Sequence, residues 1–327
     1  MFTFHAFQQG GFMKPGNSKT ITKPFDVAVV MPTIVRPSLL EALKSVYGQT
    51  FEGSVQILVG VDSLQGEKSI LDRLEEGIPD RMTLTLFDPG YSTSSRHGGV
   101  HSARDGGALR TLLSFLAHSR YVAYLDDDNL WHPNHLSHTL NAIEGHDWAY
   151  SLRWLVDEDT NRKLTIDKWH SVGPGKGIMQ GTSGGFVDPN TLIVDKLACA
   201  DQLYLWSVEA KGREVFAGAD RNFFDGLARH KSSNGSKRAT VYYKMRRTNI
   251  LWNMSMRNGS KKRPRNRPNA LLRQQTIKIG DGLLQSFRQR NGWFPIQQIA
   301  GFRNIRAALQ RIILRQGVKG QFRCRAC

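Results

Sequence analysis

At 327 residues with 40% apolar composition, the chain is long enough for one large or two ordinary domains with a real core, which excludes a disordered protein. No apolar run reaches the roughly 18 residues of a membrane span, and residues 1–24 lack a basic start followed by an apolar block, so the expectation is a cytoplasmic protein. The net charge of +17 divides into −6 over residues 1–228 and +23 over residues 229–327, so the basicity belongs to an appendage, and nucleic acid is not an expected partner of the core.

In chain order, residues 1–24 read as a flexible N-terminal segment. DVAVVMP (26–32) is an apolar, β-rich run closed by Pro32, and SLLEALKSVYGQ (38–49) follows with helical spacing and Ser38 as its cap. VQILVGVD (55–62) predicts a buried strand ending in Asp62, KSILDRLEEG (68–77) a helix, and MTLTLFD (82–88) a third strand. This alternation implies an α/β fold, a mostly parallel sheet with helices on both faces. GGALRTLLSFLAHS (106–119) is the next helix and YVAYL (121–125) the next strand, which puts Asp126, Asp127 and Asp128 at a strand's carboxyl end. Open α/β sheets bind ligands there.

Beyond that point WAYSLRWLV (148–156) predicts a strand, DEDTN a turn and GPGKGIMQGTSGGF (173–186) a Gly-rich loop. DKLACADQLYLWS (195–207) and ADRNFFDGLARH (219–230) predict helices, and ATVYY (239–243) a strand. NGSKKRPRNRP (258–268) is a linker by composition and opens a basic C-terminal extension, 258–327. Within it, Ile299, Phe302, Ile305, Leu309 and Ile312 recur at three- and four-residue spacing, with Arg303, Arg306, Arg311 and Arg315 largely off that line. Such an amphipathic helix with a basic face suits an anionic membrane surface; packing of the apolar stripe on the acidic core is the alternative.

Three adjacent carboxylates repel and raise one another's pKa unless a cation sits among them. The two readings are a solvated acidic turn and a divalent-metal and nucleotide site, and the position after a buried strand favours the second, with Mg²⁺ or Mn²⁺ on hard oxygen ligands. His132, His135 and His138 drift round a helix and read as surface or core residues. Three cysteines, Cys199, Cys324 and Cys327, make no disulfide framework, and the terminal CRAC is a lone CxxC. The loop around Gly181 to Gly185 lacks the GxxxxGK[ST] pattern of a P-loop and reads as an acceptor-side loop.

VAVVMPTIVRPSLLEALKSVYGQTF and SARDGGALRTLLSFLAHSRYVAYLDDDNLWHPNHL together resemble family-2 glycosyltransferases: a first strand ending in Pro-Thr, a helix closing on Gln-Thr-Phe, an Ala-Arg-Asn helix and a DXD-type motif. The resemblance covers about 26–230. It implies a GT-A fold over 25–257, with a nucleotide-binding half (25–130) and an acceptor half (131–257). It also implies a nucleoside-diphosphate sugar donor, UDP in type, a divalent metal, a glycan or lipid-linked acceptor, and inversion. By the same resemblance Pro32 and Thr33 begin the nucleotide pocket, Asp62 meets the base, Arg104 faces the nucleotide, Asp127 meets the ribose, Asp128 the metal, and Asp126 supports them. The chain departs from the family in reading GVDS where two adjacent acids are common, and in carrying Asp105 where the family has Asn.

The general base of an inverting transfer falls on Asp220 in FAGADRNFFDGL, with a capping role as its alternative and Asp225 as a weaker rival. Two other functions compete. A nucleotidyltransferase would carry a Gly-rich basic signature after the first strand, which PTIVRPSLLEAL lacks. A nucleic-acid-binding protein would interleave aromatics with the basic tail.

Overall fold

The computed structural model describes residues 14–15, 23–101, 106–208, 219–246 and 252. The segments 1–13, 258–327 and Arg104 therefore lie outside the described residues, as do the expectations placed on them.

The main elements, in chain order, are β1 (Phe25–Thr33), α1 (Leu39–Tyr47), β2 (Val55–Val61), β3 (Met82–Phe87), α2 (Gly107–Leu116), β4 (Ser119–Tyr124), α3 (His135–Ile143), β5 (Trp148–Asp157), β6 (Lys163–Ile166), β7 (Leu192–Asp195), α4 (Ala219–His230) and β8 (Ser233–Met245). One large sheet runs β3-β2-β1-β4-β7-β5-β8, bordered by Lys14–Pro15 beside β3 and Leu130–Trp131 beside β8, with β6 pairing on β5. Strands β3, β2, β1 and β4 are mutually parallel, as are β5 and β8. Strand β7 is antiparallel to both β4 and β5 and joins the two parallel groups.

Each sheet face is covered, which explains why the central strands read as unbroken apolar runs. Val27, Val29, Met31, Ile57 and Val59 point to a layer containing Leu39 and Leu43 of α1 and Leu136 of α3. Ala28, Val30, Leu58, Val122 and Tyr124 point the other way, to Leu113 of α2, Trp206, and Phe223 and Leu227 of α4. The period-2 alternation of strands is thus the division between two cores. Helix α1 buries Leu39, Ala42, Leu43, Val46 and Tyr47, the spacing of one helical face.

The α/β fold with helices on both faces is what the sequence predicts, and three local expectations are corrected. KSILDRLEEG forms a short 3₁₀ helix at Lys68–Arg73, not an α-helix; of those six residues Ile70 is the buried one, and two tight turns suffice to bury it. In 195–207, Asp195 ends β7 and the chain then turns before a 3₁₀ helix at Leu203–Ser207, which buries Leu203 and Trp206. The Gly-rich stretch contains a short helix, Gln180–Ser183, and a two-residue ladder joining Gly173–Pro174 to Gly185–Phe186. Ser38 occupies the N-cap position of α1 but makes no side-chain capping bond.

Candidate active site

The strand order places the site. From β1 the chain steps to β2 and β3 on one side, then returns through α2 to β4 on the other, so the order reverses between β1 and β4. At such a switch point the connections leave in opposite directions and open a crevice at the strands' carboxyl ends. The last β1–β4 pair is Val30 with Tyr124, and Pro32 and Thr33 continue past it. Asp62 follows β2 on one flank of Thr33, its N–H donating to the Thr33 carbonyl at 2.8 Å, and Asp126 to Asp128 follow β4 on the other.

Thr33 spans the crevice. Its Oγ1 donates to Asp127 Oδ2 at 2.6 Å and accepts the Val35 N–H at 2.8 Å. Asp127 Oδ2 also accepts the Ile34 N–H at 3.2 Å, while Oδ1 accepts Arg36 Nη1 at 2.7 Å. Buried Asp127 therefore ties the loop after β1 to the loop after β4. Pro32 packs on the start of α2: Gly106 has φ 71°, and a Cβ there would stand 2.7 Å from Pro32 Cβ, so this close approach and its left-handed backbone both call for glycine. Asp62 is buried and accepts Ser92 Oγ at 3.0 Å.

The two remaining aspartates are also paired with arginines, Asp126 with Arg110 and Asp128 with the same Arg36 that holds Asp127. Asp126 pairs with buried Arg110 of α2, which also lies over the Trp206 ring, 5.3 Å from its centroid. Asn190 completes the hold on Asp126, donating from Nδ2 to its carboxylate at 2.8 Å and accepting its N–H at 2.7 Å. Asp128 accepts Arg36 Nη1 at 2.8 Å and Asn129 Nδ2 at 3.0 Å. Its side chain keeps 46% of its surface exposed, yet the limited hydration at the base of the crevice and the charge of Asp126 push its pKa up to about 7 against the pull of Arg36.

A deeper layer supports this one. Asp188 accepts from Asn190 at its N–H (3.0 Å) and Nδ2 (2.7 Å), and pairs with Arg153. Arg153 is buried, with Nε 2.9 Å from Asp167 Oδ2 and its guanidinium 4.0 Å from the Tyr243 ring centroid. Burial raises the pKa of Asp188. Burial also works on Asp167, but Arg153 and the N–H groups of His170, Trp169 and Ser171 hold it below the ordinary carboxylate range.

Asp220 is the second residue of α4 and half-buried, its Oδ1 accepting the Arg221 N–H at 2.9 Å. Burial pushes its pKa up to about 6, with Asp188 adding to the rise and Arg221 and Arg110 opposing it. It therefore lies within electrostatic reach of the groups that hold Asp126. Arg221 also donates to the Gly185 carbonyl at 3.3 Å and stacks on Phe186, which joins the Gly-rich stretch to the helix carrying Asp220. Asp225 lies on the same helix, half-buried. His135 is a core residue, Nδ1 2.8 Å from Thr240 Oγ1 and its ring stacked on Trp131.

The structure thus brings Pro32, Thr33, Asp62, Asp126, Asp127 and Asp128 to one crevice, while Asp220 stands on α4, where the charges of Asp188 and Arg110 are felt. Sequence reading missed Arg36, Arg110 and Asn190, whose pairings with the aspartates span 91, 16 and 64 residues. Arg36 lies in the same PTIVRP stretch as Thr33 and could have been singled out on that ground.

Among the described residues no group of three or more His, Cys, Asp and Glu side chains forms a ready metal cage. The donor set still fits a divalent ion of the Mg²⁺ type, which is held by one or two carboxylates and otherwise by water and substrate phosphates. Asp128 is half-exposed with its pKa pushed up, the condition a further cation relieves.

No family model matches the chain. Over 136 residues, 42% of the chain, it is 27% identical to an uncharacterized glycosyltransferase of Nostoc sp., and the match spans 38% of that protein's length. Among solved structures it is similar to S. aureus TarS 1–349, at 15% identity over 67% of this chain and 60% of that one, TM-score 0.49. It is also similar to the mannosyltransferase PcManGT from Pyrobaculum calidifontis in complex with GDP-Man and Mn²⁺, at 14% identity over 72% of this chain and 61% of that one, TM-score 0.48. Both scores are too low to add to the fold described above, which rests on its own strand order.

Proposed function

We propose that this chain is a metal-dependent glycosyltransferase of GT-A fold and family-2 type, moving a sugar with inversion from a UDP-type donor to a hydroxyl of a glycan or lipid-linked acceptor. The observation that carries the reading is the crevice at the β1–β4 switch point, bridged by Thr33 and Asp127 and flanked by Asp62 and Asp126 to Asp128. The motif resemblance of 26–230 supports it, as does the name of the Nostoc relative.

In this reading Asp62, Asp127 and Arg104 face the nucleoside, and Pro32 and Thr33 form the pocket floor. Asp128, with Asp126 beside it, would hold Mn²⁺ or Mg²⁺, which when bound would neutralise the donor's diphosphate. Asp220 takes the acceptor's proton. A carboxyl with a pKa of about 6 is ionised at neutral pH, yet basic enough to receive a proton as the hydroxyl attacks. Arg110 keeps Asp126 in place so that the carboxylates do not drift apart under their own repulsion. The basic segment 258–327 would hold the enzyme on an anionic membrane surface.

The test is a thermal-shift screen of nucleotide sugars with and without Mn²⁺, since a ligand of the folded state raises the apparent stability. The reading predicts a Mn²⁺-dependent rise with at least one nucleotide sugar. No shift with any of them would overturn it.

A further inference from the structure

The cations that the three aspartates require are, in this structure, side chains of the protein itself: Arg110 for Asp126, and Arg36 for the other two. Arg36 Nη1 stands 2.7 Å from Asp127 Oδ1 and 2.8 Å from Asp128 Oδ2, so one nitrogen serves both carboxylates. The turn that presents it is strained. Val35, immediately before Arg36, has φ 63°, the left-handed region that a β-branched residue avoids.

Such a conformation persists only where its surroundings over-determine it. Here they do. The Val35 side chain is fully buried and its N–H is bonded to Thr33 Oγ1. The Ile34 carbonyl accepts the Gln65 N–H at 3.1 Å. The Gly66 backbone lies so close to the Val35 carbonyl that a Cβ on Gly66 would be 1.7 Å from its oxygen. The backbone of Arg36 is therefore fixed over the aspartates, while its side chain, 44% exposed, keeps an open route to solvent.

Resting on the donor reading above, we propose that Arg36 is a positioning residue that acts as a resident counter-ion: it holds Asp127 and Asp128 before the donor arrives and yields Asp128 to the divalent cation that accompanies the diphosphate. A divalent ion on Asp128 Oδ2 would sit about 2.1 Å from an oxygen that already has the guanidinium nitrogen 2.8 Å away. Two cations pressed against one carboxylate oxygen repel, so Arg36 and the metal exclude each other there. The diphosphate supplies the negative charge that makes the exchange favourable, and metal uptake is thereby coupled to donor binding.

The experiment is a Mn²⁺ titration of the full chain, followed by electron paramagnetic resonance of the free ion, with and without UDP, for the parent, Arg36→Gln and Arg36→Lys. UDP binding is measured separately by calorimetry. The parent is expected to take Mn²⁺ weakly alone and more tightly with UDP. Arg36→Gln should bind Mn²⁺ without UDP at least about fivefold more tightly than the parent, the lower end of ordinary coupling between linked ligands, and the gain from UDP should shrink by the same factor. Arg36→Lys, which keeps a cation, should resemble the parent. A purely structural arginine would weaken metal binding when lost, so an Arg36→Gln affinity equal to or below the parent's overturns the proposal while parent UDP binding leaves the donor reading standing. A parent that binds neither UDP nor Mn²⁺ overturns both.

Discussion

Arg153→Leu is expected to cost about 4 kcal/mol of stability near neutral pH. The side chain is 1% exposed and is shared between Asp167, whose side chain is 0% exposed, and Asp188, at 9%. Leucine fills part of the volume but leaves two buried carboxylates without their cation, and removing one partner of a buried ion pair costs about 3–5 kcal/mol. Two stranded carboxylates argue for the upper part of that range. Asp188 limits the loss, because its pKa is already raised and it can take up a proton.

The pH dependence has a definite sign. In the parent, Asp167 has a folded-state pKa below its unfolded value, so it contributes stability that is present above the unfolded pKa, about 3.9, and is lost as pH falls through the folded one. In the leucine variant Asp188, without its cation, titrates further above its unfolded value, while Asp167 keeps its three N–H donors but loses the pull of Arg153, so the variant gains on the parent as pH falls toward about 4. Urea unfolding at three pH values measures both effects. A difference below about 1 kcal/mol at neutral pH, or one that widens on acidification, would refute the idea that Arg153 neutralises this pair. Replacing Asp167 and Asp188 by Asn in the same chain should restore part of the loss.

Thr33→Val removes a bond to the Asp127 carboxylate and the acceptor of the Val35 N–H, and should cost about 2–3 kcal/mol in urea unfolding; a cost near zero would remove the clamp from the account. Asp220→Asn should retain UDP binding but lose about 10²- to 10⁴-fold in turnover. In the parent, kcat should fall as pH drops through about 6, where Asp220 becomes protonated, and a flat profile there would return the residue to a structural role. A chain ending at Asn258 should stop co-sedimenting with anionic vesicles at low salt, since each basic residue near such a surface contributes about 1 kcal/mol; full-length protein that never sediments would end the membrane proposal.

Much of the framework was legible because it rests on local patterns. The apolar runs at 27–32, 55–61 and 122–125 are buried on both faces, and the α4 segment 219–230 carries the helical spacing throughout its length. The short 3₁₀ segments were not legible, because about two turns that bury one or two side chains have the same three-residue spacing as the start of an α-helix. Strand β7 was hidden in LIVD (192–195), four residues whose role as the antiparallel link between β4 and β5 depends on partners far away in sequence. The aspartates of the crevice were legible from their place after a strand. Their counter-ions were not: Arg36 and Arg110, like Arg153 in the layer beneath, look like ordinary basic residues until the topology sets each against its carboxylate. The question raised by three adjacent aspartates thus had its answer in two guanidinium groups, Arg110 on α2 and Arg36 behind a strained valine.

The most direct test of the central claim is release of nucleoside diphosphate from nucleotide sugars in the presence of Mn²⁺, by the parent and by Asp128→Asn. The account predicts metal-dependent release from at least one UDP-type sugar, with water as a slow acceptor, and its loss in the variant, whose amide cannot balance the cation. Release that is unchanged in Asp128→Asn, or absent for every nucleotide sugar with the parent, would contradict it.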